Sequence, residues 1–214
     1  MKLKAVLFDM DGTLVISHPC HALAYRLLSK ELGIKISGKK IEEYMKTPSE
    51  ISFHQFAKDF HTKQSPEWLV NKKRKIIKQC SIGKNYFAPN AWRIIQELKQ
   101  KGLRLGIVSS SGRKSLNIFL PKDFQKNFDA IICLEDVKHI KPSSEPMKKA
   151  LKKLKLKPSQ VIMVGDSTSD LIAARKTKIK AIGITTGLSS KKELLKEKPI
   201  AVIKNLNQIK KFLQ

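Results

Sequence analysis

Acidic residues are scarce in this sequence: 18 Asp and Glu stand against 43 Lys and Arg in 214 residues, a formal net charge of +25. A field of that sign attracts phosphorylated metabolites, nucleic acid and acidic membrane surfaces alike, so charge alone selects none of them. Cysteine is scarcer still. Cys20, Cys80 and Cys133 are odd in number, scattered and part of no motif, which excludes a disulfide framework and fits reduced thiols in a cytoplasm. No apolar run is long enough to span a bilayer. The N-terminal Met1-Lys2-Leu3-Lys4 leads into a short apolar stretch that ends in Asp9 and Asp11 rather than at a small-residue cleavage site, so no targeting segment is read there. Internal repeats and low-complexity linkers are missing too. Hydrophobic residues, by contrast, make up 41% of the chain, too many for a disordered protein and enough for one sizeable domain with or without an insertion.

The basic excess is spread along the chain. In Met147–Lys157 the apolar Met147, Ala150, Leu151 and Leu154 keep helical spacing while Lys148, Lys149, Lys152 and Lys153 take the other side, a solvated lysine face rather than a nucleic-acid site. Short apolar runs at Leu3–Phe8, Leu103–Val108, Ala130–Cys133, Val161–Val164 and Ala181–Ile184 read as strands buried on both faces. Helical patterns such as Trp92–Lys101, closed by Gly102, and Thr168–Lys176 separate them. That alternation predicts a doubly wound α/β domain with a parallel sheet and right-handed crossovers. Between the first strand and Trp92 the pattern is helical throughout: Leu23, Leu27, Leu28 and Leu32 as one stripe ending at Gly33, then Phe53–Phe60 and Trp68–Ile77. The expected organisation is an α/β core over residues 1–14 and 88–214 with an inserted helical cap at 15–87, Pro89 marking the return.

Ligands of open parallel sheets bind beyond the carboxyl ends of the strands. The polar residues following the apolar runs are Asp9-Met10-Asp11-Gly12-Thr13, then Ser109-Ser110-Ser111, then Lys141-Pro142 after a short loop, then Gly165-Asp166-Ser167-Thr168-Ser169-Asp170. Singly, each has a plain reading: Asp and Gly form turns, serines and aspartates cap helices, and Lys141 is one lysine among many. Together they bring four carboxylates, hydroxyls and a lysine to one crevice. Crowded carboxylates call for a hard cation such as Mg2+. A carboxylate can attack phosphorus, and a second acid nearby can protonate the leaving oxygen and then activate water.

Four such elements, in this order, resemble the motifs of the haloacid dehalogenase-like phosphatase superfamily, Phe8-Asp9-Met10-Asp11-Gly12-Thr13-Leu14-Val15 being similar to its signature. The resemblance covers nearly the whole chain and is closest to phosphoglycolate phosphatase-like and β-phosphoglucomutase-like members with a helical cap. It implies Asp9 as nucleophile and Mg2+ ligand, and Asp11 as general acid/base that offers its backbone carbonyl to the metal. Gly12, Thr13, Ser109, the Ser110 backbone N–H and Lys141 would hold the phosphoryl group, Asp166 would be the remaining metal carboxylate, and Asp170 would orient Lys141 or metal-bound water. Two departures, Ile16 where many capped relatives carry an acid and Lys141-Pro142-Ser143-Ser144-Glu145-Pro146 in place of Lys-Pro-x-Pro, loosen any transfer of substrate identity. His18, Cys20 and His21 follow the first motif but lack a second ligand pair, so a zinc site is not expected. The implied activity is Mg2+-dependent hydrolysis of a small anionic phosphorylated metabolite through an aspartyl phosphate. A phosphomutase, a phosphatase acting on nucleotides or nucleic-acid ends, and a non-catalytic binder on the same scaffold are the alternatives; nucleic acid is admitted by the charge but not favoured.

Overall fold

The computed structural model describes residues 2–213. It opens with β1 (Ala5–Phe8), every residue of which is fully buried. Four helices follow, α1 (His18–Glu31), α2 (Gly38–Met45), α3 (Ser49–Asp59) and α4 (Pro66–Ser81). The remainder alternates: α5 (Ala91–Gln100), β2 (Arg104–Val108), α6 (Arg113–Phe119), α7 (Lys122–Gln125), β3 (Ala130–Ile132), α8 (Glu145–Leu154), β4 (Val161–Gly165), α9 (Thr168–Lys176), β5 (Lys180–Ile184), α10 (Lys191–Lys196) and β6 (Ala201–Ile203). The chain divides into two compact units. One runs to Ile16 and resumes at Tyr86; the other is Ser17–Asn85. An antiparallel bridge between Val15 and Phe87 and a hydrogen bond from Ile16 N to Tyr86 O (2.7 Å) draw together the two connecting segments within the first unit.

That unit is built on a six-stranded, all-parallel sheet in the order β3-β2-β1-β4-β5-β6. Beginning at β1, the chain winds outward to one edge and then, from β4, to the other, so β1 and β4 flank the point where the winding reverses. Strand burial follows from helices on both faces. On one face Met147, Ala150, Leu151 and Leu154 of α8 and Leu171, Ala173 and Ala174 of α9 pack against Ala5, Leu7, Val161 and Met163. On α5, Ala91, Ile94, Ile95 and Leu98 keep i, i+3, i+4, i+7 spacing and are all buried. The lysines of α8 at 148, 149, 152 and 153 are exposed.

The helical unit closes around aromatic rings. Tyr25 lies 5.2 Å from Phe53 and 5.9 Å from Tyr44, centroid to centroid, and its hydroxyl meets Ser52 Oγ at 2.8 Å. Here the expected stripe on α1 needs correction. Leu28 is buried, but Leu23 and Leu27 are 38% and 41% exposed; Cys20, Ala24 and Tyr25 hold the inner face instead. The bulk of Tyr25, stacked into the ring cluster, sets the rotation of the helix. Among the described residues no helix is long and apolar enough to cross a membrane.

Candidate active site

The site is assembled at the carboxyl ends of β1, β2 and β4. Phe8 is level with Ile107 on one side and Val164 on the other, so the residue after β1 emerges between two strand ends. Asp9 N donates to Val164 O at 2.9 Å, extending the ladder by one rung and fixing the direction of the side chain. The chain then turns sharply. Met10 O accepts from Leu14 N (2.9 Å) and Val15 N (3.0 Å), and Gly12 adopts φ +77°, a left-handed conformation that a side chain disfavours. Space forbids a side chain there as well, since a β-carbon on Gly12 would lie 2.5 Å from Asp166 Oδ2.

Asp9, Lys141, Asp166 and Asp170 form one buried cluster. Lys141 Nζ donates to Asp9 Oδ1 (2.5 Å), Asp170 Oδ1 (2.5 Å) and Val108 O (2.8 Å), which employs all three of its protons. Asp170 turns its other oxygen to Ser167, accepting from the hydroxyl at 2.6 Å and from the backbone N–H at 3.1 Å, while Ser167 in turn caps α9. Asp166 Oδ1 lies 3.5 Å from Thr13 Oγ1, and its Oδ2 accepts from Leu188 N at 3.3 Å. Asp11 accepts from Ser111 Oγ through Oδ2 at 2.8 Å. Ser109, buried, takes Ser111 N on its Oγ at 3.0 Å; Ser110 is half-buried in the same loop. The sequence-expected residues thus converge in two linked groups, the carboxylate–lysine cluster and the Asp11–serine loop.

The electrostatics are strained in one direction. Burial, then the Asp170 and Asp11 charges, push Asp9 from an ordinary 3.8 to about 7, against the pull of Lys141. Burial and the Asp9 and Asp170 charges hold Asp166 well above the usual carboxylate range. Lys141 is driven down by burial, yet Asp170 and Asp9 outweigh this and keep it protonated beyond its normal range. Three buried carboxylates face a single ammonium, so full ionisation would leave two negative charges unmatched. Carboxylate oxygens from Asp9, Asp166 and Asp170 all lie within 4.8 Å of one another, a hard oxygen donor set suited in charge and chemistry to a divalent cation. Because Asp170 already spends one oxygen on Lys141 and the other on Ser167, Asp9 and Asp166 are the better placed ligands.

A pH dependence follows from these shifts. Asp9's folded value lies above its unfolded one, so the native metal-free protein holds the extra proton between 3.8 and about 7. Its contribution to stability is therefore greatest at the acid side of that window and is lost as pH rises through about 7. A divalent cation held by these carboxylates would compete with that proton. The gain in melting temperature on adding Mg2+ should be larger at pH 8 than at pH 5.5, as thermal unfolding at both pH values will show; a gain independent of pH would contradict it.

Two features escape motif reading. Ser111, adjacent to the expected Ser109 and Ser110, is the serine that meets Asp11. The loop after β5 also reaches the site: Thr186 Oγ1 donates to Gly12 O at 2.5 Å, and a β-carbon on Gly187 would stand 1.7 Å from Asp166 Oδ2. The signal for it was the rule already applied to the other strands, that polar residues after an apolar run face the crevice.

Comparison with known proteins finds that the family model described as haloacid dehalogenase-like hydrolase matches residues 6–184. Pyrophosphatase PpaX of Bacillus mycoides (strain KBAB4) is 26% identical over 231 residues, spanning 98% of this chain and 96% of that protein. Among solved structures, a predicted phosphoglycolate phosphatase from Haemophilus somnus 129PT superposes with TM-score 0.85 at 22% identity, covering 100% of this chain and 99% of the other. CbbY from Rhodobacter sphaeroides, solved in complex with phosphate, gives TM-score 0.84 at 20% identity over 97% and 96% of the two chains. The latter two likenesses concern the fold.

Proposed function

This chain belongs to the haloacid dehalogenase-like hydrolase family and is a phosphohydrolase, and we propose that it cleaves a small phosphate monoester with Mg2+ by way of an aspartyl phosphate on Asp9. The observation that carries this reading is the position of Asp9, the first residue beyond the central strand, buried and held at one oxygen by Lys141 at 2.5 Å. In this reading residues 15–87 are the cap domain of the family's architecture, and the reduced cysteines suit a cytoplasmic enzyme.

The Asp9 carboxylate attacks phosphorus, and the P–O bond to the alcohol breaks as Asp11 gives the leaving oxygen a proton. Asp11, now ionised, takes a proton from water as that water attacks the phosphoryl group; inorganic phosphate leaves and Asp9 is restored. Lys141 offsets charge on the transferring group and keeps Asp9 oriented. Ser109 Oγ accepts from Ser111 N, which leaves its own hydroxyl proton for a phosphoryl oxygen, alongside the Ser110 N–H. Gly12 and Thr13 let backbone approach the same oxygens. Asp9, Asp166 and the Asp11 carbonyl would hold Mg2+, which when bound neutralises phosphoryl charge. Asp170, locked between Lys141 and Ser167, acts by positioning the lysine.

Asp166→Ala should lose metal dependence and activity together, whereas Asp170→Ala should be milder; metal titrations of activity compare them, and matching curves for wild type and Asp166→Ala would refute the assignment. The fate of the phosphoryl group tests the function itself. The enzyme is incubated in 18O-water with phosphoglycolate and, separately, with β-glucose 1-phosphate plus a trace of the bisphosphate. Free phosphate carrying solvent oxygen is expected. Conversion to glucose 6-phosphate with little free phosphate would replace hydrolase by mutase, with Asp9 and Asp11 in unchanged roles.

A further inference from the structure

The loop that follows β5, Thr185 to Ser189, belongs to none of the motifs, yet it touches both halves of the carboxylate site. Thr186 donates its hydroxyl proton to Gly12 O at 2.5 Å. Gly12 lies in the turn between Asp9 and Thr13, so this bond anchors the turn from outside. One residue on, Gly187 presses its backbone against Asp166 so closely that a β-carbon would fall 1.7 Å from Oδ2, 2.3 Å from Cγ and 2.6 Å from Cβ of that aspartate. The same glycine backs Gly12, whose own β-carbon would lie 2.9 Å from Gly187 Cα. Leu188 N then donates to Asp166 Oδ2 at 3.3 Å. Three consecutive residues thus make three different contacts, to the nucleophile's turn, to the flank of a carboxylate and to one oxygen of that carboxylate.

We propose that Thr186, Gly187 and Leu188 form a positioning wall that sets the rotamer of Asp166 and the path of the Asp9–Thr13 turn, so that the two carboxylates present their oxygens to one divalent cation. The inference rests on the metal reading given above. Its physical basis is the lack of slack: a carboxylate facing a glycine at this distance cannot rotate towards the loop, and the bond from Leu188 N restrains the oxygen on that side. Thr13 Oγ1 lies near the other oxygen, so one end of the Asp166 carboxylate is held by a backbone N–H and the other faces a buried hydroxyl. Glycine at position 187 is therefore required by the closeness of Asp166. Its own φ is not in the left-handed region.

The loop is anchored on its far side by pairing of β5 with β6, where Thr185 N donates to Ile203 O at 3.0 Å. Beyond it lies an opening of about 480 Å3 lined in part by Gly187, Leu188, Ser189 and Val202. That open space gives an enlarged residue 187 somewhere to displace the loop without disturbing the core, so Gly187→Ala is expected to fold.

Calorimetric titration of Mg2+ and Mn2+ into wild type, Gly187→Ala, Thr186→Val, Thr186→Ser and Asp166→Ala is the test, with circular dichroism and thermal unfolding as the check on folding. Gly187→Ala should bind either metal at least about tenfold more weakly while its melting temperature without metal stays within about 4 °C of wild type. Thr186→Val, which frees the Asp9–Thr13 turn, should bind either metal at least about threefold more weakly, and Thr186→Ser, which restores the hydroxyl, should recover most of that loss. Wild-type affinity in Gly187→Ala, with binding abolished in Asp166→Ala, would overturn the wall and leave the metal reading standing. Undiminished binding in Asp166→Ala would overturn the metal reading and the wall with it. Should Gly187→Ala fail to fold, the Thr186 pair decides: equal metal affinity in Thr186→Val and wild type would overturn the proposal.

Discussion

Asp9→Asn is expected to lower kcat by at least about a thousandfold, roughly 4 kcal/mol of barrier, while leaving the protein folded. The two effects separate because the substitution keeps the shape of the side chain and removes one charge from an overcrowded set. Lys141 retains Asp170 at 2.5 Å, so the ammonium does not become an orphan. Without metal at pH 8 the variant should melt no lower than wild type, since the carboxylate it loses is one that burial and its neighbours push up to about 7. Steady-state turnover of a chromogenic phosphate ester measures the first effect, and acid-quenched samples examined for protein-bound phosphate supply an independent reading. Label in wild type that is missing from Asp9→Asn is the expected pattern. Retention of more than a tenth of wild-type activity would sink the covalent route.

Lys141→Met should be the more damaging change for the fold. Lys141 is buried and spans Asp9 and Asp170; deleting it strands three carboxylates in one place. Removal of one partner from a buried ion pair costs on the order of 3–5 kcal/mol, and here the remaining charges also repel one another. The loss should be largest above neutral pH and shrink in acid, where Asp9 and Asp166 take up protons. A second substitution decides between repulsion and lost packing. Lys141→Met with Asp170→Asn removes one cation and one anion, and it should recover more than half of the lost stability without restoring turnover. Denaturant unfolding of both variants at pH 5.5 and pH 8 is the measurement. A pH-independent loss, or no recovery in the double variant, would show that the lysine stem rather than its charge was the stabilising part.

The parts of this molecule most legible in its sequence are those with the least freedom. β1, β2 and β4 read as apolar runs because they are buried on both faces, Arg104 at the start of β2 being the one exposed position. The strand ends then brought Asp9, Lys141, Asp166 and Asp170 to one point, since parallel strands deliver their carboxyl ends to the same edge. β6 was not legible. It is three residues long, at the sheet edge, with Ala201 and Val202 only half-buried, so Ala-Val-Ile carries no pattern a helix or loop would lack. On α1 the leucines at 23 and 27 advertised a face that Tyr25 in fact commands. The loop from Thr186 to Leu188 was hidden in part, for a different reason. Thr186 follows an apolar run as the other site residues do, but Gly187 and Leu188 act by absence of a side chain and through a backbone N–H, and neither leaves a chemical signature in a list of residue types.

Placing the first strand at the middle of the sheet has a cost during synthesis. β1 leaves the ribosome early, but its two neighbours begin at Arg104 and Val161. At about 5–20 residues per second, its second edge stays open for on the order of ten seconds after it has been made. Until Arg104–Val108 is made, Ala5–Phe8 is an apolar strand with both edges unpaired, and from then until Val161 one edge stays open. The helices from α1 to α4 face a shorter delay, for they pack against one another within Ser17–Asn85, and the last partner, α4, is complete at Ser81. Nascent chains arrested before residue 161 should therefore carry a closed helical segment beside a first strand that attracts holding chaperones, and the carboxylate–lysine cluster cannot close until Asp170 has been made.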